Sequence, residues 1–254
     1  GSDCSGGAGI QADIKTITAH GMYAMSAITS LTAQNTTGVY GVMDSTPEIL
    51  GKQLDCIFND IFPDAVKIGM VSDKELINII AEELKEYKPK NIVLDTVMVA
   101  TSGSPLLKPD SVNALIEELI PLATVITPNI PEAEVLGNCK IECEKDLKDT
   151  AIALYEKYGC NVLVKGGHLN DTATDILCCN GEITEFKGER IDNNNTHGTG
   201  CTLSSAIACN LAKGLDLPDA IRNSKEYLVG ALKYNLNIGK GNGPLNHCYK
   251  IMED

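Results

Sequence analysis

What most limits the folds open to this chain is the repeated alternation of short apolar runs with segments whose apolar residues recur every three or four positions. After a small-residue opening, Gly1-Ser2-Asp3-Cys4-Ser5-Gly6-Gly7-Ala8-Gly9, the residues Ile10, Ile14 and Ile17 mark a helix that stops near His20-Gly21. Met22 to Thr32 reads as a buried strand, Ala33 to Gly38 as a polar loop and Val39 to Met43 as a short strand. Thr46-Pro47 opens a helix whose Leu50, Leu54, Ile57, Phe58 and Ile61 share one face. The pattern then repeats. A strand at Ala65–Met70 precedes a capping box, Ser72-x-x-Glu75, and the helix of Leu76, Ile80 and Leu84. A strand at Asn91–Asp95 is followed by a helix capped by Asp110 and running through Leu119, then by a strand at Thr124–Thr127. Pro131 starts another helix, Leu147, Ala151, Leu154 and Tyr158 face the core from the next, and Val162-Leu163-Val164 is an apolar strand.

Strands that alternate with helices run parallel, because each helical crossover returns the next strand in the same direction and covers one face of the sheet. The expected fold is therefore α/β: three layers, with a mostly parallel central sheet and helices on both faces. With 254 residues and no shift in composition that marks a linker, one domain over 1–254 is expected. Ligands of such sheets bind at the carboxyl ends of the strands, where Asp95, Thr127-Pro128-Asn129 and Lys165-Gly166-Gly167-His168 fall.

One stretch carries chemistry by its own pattern. Asn194-Asn195-Thr196-His197-Gly198-Thr199-Gly200-Cys201-Thr202-Leu203 is a glycine-broken loop that runs into a helix marked by Leu203, Ala206, Ile207 and Leu211. A helix start presents unpaired N–H groups and the positive end of the peptide dipoles, so it can hold a phosphate. Cys201 in its first turn is placed for a lowered thiol pKa, as a base or nucleophile. Taken alone, the ten residues fit a tight turn beside a small buried cysteine equally well.

Charge narrows the partners. A net charge of −13 disfavours nucleic acid and anionic membrane surfaces, which such a body repels. The ten cysteines are too sparse for a disulfide scaffold and lack paired C-x-x-C spacing, and with no secretory segment in view they fit reduced thiols in a cytoplasm. The apolar runs are shorter than a membrane span. Gly198-x-Gly200 lacks the third glycine of a dinucleotide loop, and no Gly-x4-Gly-Lys-Ser/Thr occurs.

Seven segments together resemble the hydroxymethylpyrimidine/phosphomethylpyrimidine kinases of the ribokinase superfamily. They are Gly1-Ser2-Asp3-x-Ser5-Gly6-Gly7-Ala8-Gly9-Ile10-Gln11-Ala12-Asp13, Ala33-Gln34-Asn35-Thr36, Lys67-Ile68-Gly69-Met70, Leu94-Asp95-Thr96-Val97-Met98, Thr127-Pro128-Asn129-x-Pro131-Glu132, Val164-Lys165-Gly166-Gly167-His168 and Asn195-Thr196-His197-Gly198-Thr199-Gly200-Cys201-Thr202. The resemblance implies ATP-dependent phosphorylation of 4-amino-5-hydroxymethyl-2-methylpyrimidine to its monophosphate and then to the diphosphate. It implies Cys201 as the base and Gly198, Thr199 and Gly200 as the anion hole, with Lys165 near the ATP phosphates. Gly1, Asp13, Gln34, Met70 and Val97 would form the pyrimidine pocket, and Asn129, Lys165, His168, Thr196 and Gly198 the ATP site. Asp95 and Glu132 would hold Mg2+, a monovalent cation being a further candidate, although Glu132 fits the start of a helix as well. A homodimer is the expected assembly. Members of the family normally carry a hydrophobic strand ahead of Gly-Ser-Asp, whereas here Gly1 opens the sequence.

Two other readings compete. Pyridoxal kinases of the same superfamily also carry a cysteine at the Cys201 position, and the Asp13 and Gln34 pair favours the aminopyrimidine. A non-catalytic binding or redox-sensing protein would explain the cysteines, but not Lys165, Asp95, Glu132 and the intact anion loop together.

Overall fold

The computed structural model describes the chain apart from residues 99–106, 108, 168–173, 189, 190, 192 and 252–254. Strand β1 (Ser2–Asp3) pairs in parallel with β2 (Ser30–Asn35), which pairs antiparallel with β3 (Gly38–Asp44). A second sheet has the order β4 (Val66–Ile68), β5 (Ile92–Leu94), β6 (Val125–Ile126), β7 (Asn161–Val164), β8 (Asp175–Cys179), β9 (Glu182–Phe186). β4 to β7 are parallel, and the hairpin β8–β9 continues the sheet antiparallel. The expected mostly parallel sheet is present, with the first three strands forming a sheet of their own.

Alternation along each strand divides the core. Ile92 and Leu94, Val162 and Val164, Ile176 and Cys178 point to one face, against α2 (Pro47–Asp60), α3 (Lys74–Tyr87), α4 (Pro109–Ala114), α5 (Ile130–Gly137) and α6 (Glu144–Tyr158). Val93, Val125, Leu163 and Leu177 point to the other, against α7 (Thr199–Ala212) and α8 (Leu217–Lys233). α1 (Gly9–Ala19) packs on α7. Helix α7 is buried from Thr202 to Leu211, on every side, which is why it is built from Ser204, Ser205, Ala206 and Ala208 rather than from one apolar stripe.

Four local expectations are corrected. Residues 22–28 form no strand: Gly21 leaves α1 at φ 75°, Tyr23 is exposed, and Met22, Met25 and Ala27 line a cavity, so apolar residues here make a wall. Ala33 to Asn35 belong to β2, through a bulge at Ala33/Gln34. Asp73 caps α3, accepting the Glu75 N–H at 2.9 Å, because the Ser72 hydroxyl donates to Asp44 on β3. Asp110 lies inside the first turn of α4, which starts at Pro109 and continues as a π turn over Leu115–Leu119.

Candidate functional site

The carboxyl ends of β4 to β7, the start of α7, α1 and the β1–β2 sheet enclose a cavity of about 1500 Å³. Its wall includes Gly1, Asp13, Gln34, Met70, Val97, Asn129, Lys165, Thr196, Asp95, Glu132 and Gly198 to Cys201, so the structure brings these expected site residues together. His168 lies outside the described residues.

The anion loop is shaped by a second glycine loop that sequence reading gave no partner. Gly198 sits at φ 84° and caps α7, and a Cβ on it would lie 1.8 Å from the Gly7 carbonyl oxygen. The two loops are clamped by a buried pair, His197 Nε2 to Asp3 Oδ2 at 2.7 Å. Asp3 also accepts from Ser5 N and Oγ, Gly7 N and Ala8 N at 2.8 to 3.1 Å. Burial works against its charge, but the hydrogen bonds from His197, Ser5 and Ala8 outweigh it and hold the carboxyl at about 2. On its far side the loop is braced by the C-terminal segment: His197 N–H donates to Gly243 O at 3.0 Å, and Thr202 Oγ1 bonds His247 Nε2 at 3.0 Å.

Burial, with Lys15 adding to it, lowers His247 to about 4. Below about pH 6.5 the unfolded chain takes up a proton here that the folded protein refuses until about pH 4, so stability falls across that window, by about 1.4 kcal/mol per pH unit. Urea unfolding at pH 7 and pH 5 checks this: the difference in stability should shrink in His247→Gln, and an unchanged difference would reject it.

Past the loop, Gly200 faces a buried cation–anion pair. A Cβ there would lie 3.4 Å from Asp95 Oδ2 and 3.6 Å from Lys165 Nζ. Lys165 Nζ meets Asp95 Oδ1 at 3.1 Å, and Asp95 also accepts from Thr127 Oγ1 at 3.1 Å and Ser204 Oγ at 3.4 Å. Burial disfavours both charges, yet Lys165 and then Lys67 hold the Asp95 carboxyl low, while Asp95 and Glu132 hold the Lys165 ammonium high. The ammonium thus stays charged beside the helix start, where a phosphate would sit.

Glu132 closes a capping box on α5: its N–H donates to Asn129 Oδ1 and its Oε2 accepts the Asn129 N–H, both at 2.9 Å. Its carboxylate also takes Thr96 Oγ1 at 3.2 Å and Met98 N–H at 3.4 Å. Burial raises its pKa; Lys165 opposes the rise and Asp95 adds to it. Among the described residues no cluster of three or more His, Cys, Asp or Glu could hold a metal. Two carboxylates facing one cavity still suit Mg2+, which is commonly held by one or two carboxylates, waters and substrate phosphates.

Another part of the cavity wall is organised by Lys67, a residue within the expected motif to which sequence reading gave no role. Lys67 Nζ lies 2.8 and 3.0 Å from the two Asp13 oxygens, and Ser205 Oγ donates to Asp13 Oδ1 at 2.8 Å. A lone lysine in the apolar run Ala65–Met70 was the available signal. Gln34 Oε1 accepts from Thr32 Oγ1 at 3.1 Å, Gly1 packs on the Met70 side chain, and Val97 N–H donates to Asp95 O at 2.8 Å. Cys201 departs from expectation: burial pushes its thiol above the usual range, with Lys67 and the Gly9 backbone opposing and Asp13 and Asp95 reinforcing. The helix start does not offset the loss of water.

The chain is similar to known proteins along nearly its whole length. The family model described as phosphomethylpyrimidine kinase matches residues 3–246. A Rhizobium meliloti hydroxymethylpyrimidine/phosphomethylpyrimidine kinase is 48% identical over 258 residues, covering 100% of this chain and 97% of its own. The crystal structure of phosphomethylpyrimidine kinase from Clostridium difficile superposes with a TM-score of 0.81 at 48% identity, over 90% of this chain and 95% of that one. An ADP complex of Bacillus subtilis pyridoxal kinase superposes with a TM-score of 0.90 at 36% identity, over 99% and 96%.

Proposed function

The chain belongs to the phosphomethylpyrimidine kinase family of ribokinase-like enzymes, and from that premise we propose how its residues divide the work of phosphorylating 4-amino-5-hydroxymethyl-2-methylpyrimidine, and then its monophosphate, with ATP in thiamine biosynthesis. The observation that carries the reading is the convergence on one cavity of a glycine-shaped helix start, a charged Lys165 and a thiol, at the distances given above.

Phosphoryl transfer demands positioning and neutralisation of charge on the equatorial oxygens. The N–H groups of Gly198, Thr199 and Gly200 and the Lys165 ammonium would hold the transferred group, with Thr196 and Asn129 on the ATP side. When bound, Mg2+ held by Asp95 and Glu132 would supply positive charge to the phosphates. Asp13 Oδ1 accepts from Lys67 and Ser205 while Oδ2 accepts from Lys67 alone, so Oδ2 keeps a second lone pair for the exocyclic amine, with the Gln34 amide in the same wall and Met70 and Val97 as apolar walls. The substrate O–H bond breaks, its proton passes to the Cys201 thiolate, the oxygen bonds to the γ-phosphorus, and the bond from that phosphorus to the ADP oxygen breaks.

Desolvation makes the thiolate the minor form of the half-buried Cys201 at neutral pH, so kcat/KM should rise with pH through the alkaline range, as the free enzyme's thiol ionises. Initial rates between pH 6 and 10 test this, and a flat profile would remove the thiolate from the mechanism. The activity itself is read by following ATP-dependent products by mass spectrometry. Pyrimidine mono- and diphosphate are expected; phosphate appearing on pyridoxal alone would overturn the substrate and leave the fold.

We read residues 1–254 as one kinase domain. The ten cysteines are free thiols, which supports a cytoplasmic enzyme, and among the described residues no helix is long and apolar enough to cross a membrane. Leu31 and Met43, cross-strand partners exposed on β2 and β3, support a homodimer, for which sedimentation velocity is the measurement.

A further inference from the structure

We propose that Lys67 is a positioning residue for Cys201: its ammonium, pinned by Asp13 one helical turn along α7 from the thiol, is the cation beside which the thiol gives up its proton. The inference rests on the reading of Cys201 as the proton acceptor, and it adds a residue that acts through it.

The geometry comes from three elements. Cys201 and Ser205 are four residues apart on α7 and therefore lie one above the other on the same helix face. Asp13, from α1, accepts the Ser205 hydroxyl at 2.8 Å, which fixes its carboxylate against that face. Lys67, from β4, meets both oxygens of this carboxylate at 2.8 and 3.0 Å, with only 6% of its side chain exposed. Gly69 makes the approach possible, because a Cβ there would lie 2.7 Å from Lys67 Nζ. The Gly9 backbone, at the start of α1, adds a small effect that favours the thiolate.

A buried lysine is costly unless it is paired, and Asp13 supplies the pair. Burial works against the Lys67 charge, but Asp13, Cys201 and Asp95 together hold its pKa high, so it remains an ammonium throughout the working range. Among the charged groups that bear on the thiol are Lys67 from β4, Asp13 from α1, Asp95 from the end of β5, with Lys165 paired to Asp95, and the Gly1 amine. Of these Lys67 favours the thiolate, and the two carboxylates oppose it. The S–H bond ionises with its proton passing to solvent, and the sulfur then takes the proton of the substrate alcohol.

The test compares Lys67→Met, Lys67→Arg and Asp13→Asn with the parent protein, following the rate of Cys201 alkylation by iodoacetamide against pH, by peptide mass spectrometry and without substrate. The alkylation profile should move up by about one pH unit or more in Lys67→Met, return toward the parent in Lys67→Arg, and move down in Asp13→Asn. Shifts of opposite sign distinguish an electrostatic role from loosened packing, which would move both in one direction. Unchanged profiles in folded Lys67→Met and Asp13→Asn would overturn the proposal. Should Lys67→Met fail to fold, Asp13→Asn and Lys67→Arg still decide it. Alkylation is read without turnover, so its outcome is separate from whether Cys201 serves as the base, which the pH–rate profile reports.

Discussion

Cys201→Ala is expected to lower turnover by about 10²–10⁴-fold, the usual contribution of a positioned base, while ATP and the pyrimidine continue to bind. The thiol lies at the start of α7, between the anion loop and the Asp13–Lys67 pair, and its removal leaves the loop backbone, Lys165 and Asp13 in place. Positioning and charge neutralisation therefore survive, and the residual rate should stand well above the uncatalysed reaction. Single-turnover rates and isothermal titration separate the two effects: kcat falls and the dissociation constants stay within a few-fold. Equal loss of binding would make the cysteine structural. The control is the exposed Cys56 rather than Cys178, which sits in the main core, where truncation would cost packing.

Gly198→Ala should damage both fold and activity. The φ of 84° costs a residue with a Cβ about 1–2 kcal/mol, and the new methyl would lie 1.8 Å from the Gly7 carbonyl oxygen, backbone that cannot step aside alone. Adding the usual cost of overpacking, about 1–3 kcal/mol, gives a loss of roughly 2–5 kcal/mol and a fall in Tm of about 5 °C or more. Separating the two glycine loops also misplaces the N–H donors, which is worth on the order of 100-fold in turnover. Gly200→Ala is the informative partner. Its Cβ would meet Asp95 and Lys165 only at 3.4 and 3.6 Å, so the protein should keep its Tm while a phosphate is crowded out. Differential scanning calorimetry beside initial rates makes the comparison, and a Gly198→Ala protein with parental Tm and kcat would refute the loop geometry.

Much of the fold was legible because its signals are local. The 3.6-residue period of Leu76, Ile80 and Leu84, the Thr46-Pro47 start and the helix opening at Pro131 all appear as helices where the pattern put them. Failures came where two structures share one pattern. Met22, Met25 and Ala27 are apolar as in a strand but line the cavity, and Ser72 and Asp73 are both competent caps, with only the contact to Asp44 on β3 deciding between them. The isoleucines of α1 likewise turned out to line the cavity, and its buried positions are Ala12 and Thr16.

By itself the sequence determined the alternating α/β architecture, the glycine-broken start of α7 and the set of residues gathered at the carboxyl ends of the strands. Each of these depends on spacing along the chain, through side-chain periodicity, the φ that glycine permits and the direction of a crossover. Only the tertiary structure decided the pairings. Asp3 with His197 spans 194 positions, and Asp13 with Ser205 spans 192, separations that no local period encodes. It also decided the state of Cys201. A helix start favours a thiolate in any sequence, but how much water is lost, and which of Lys67, Asp13 and Asp95 faces the sulfur, is set by the packing of three distant elements, and here burial wins.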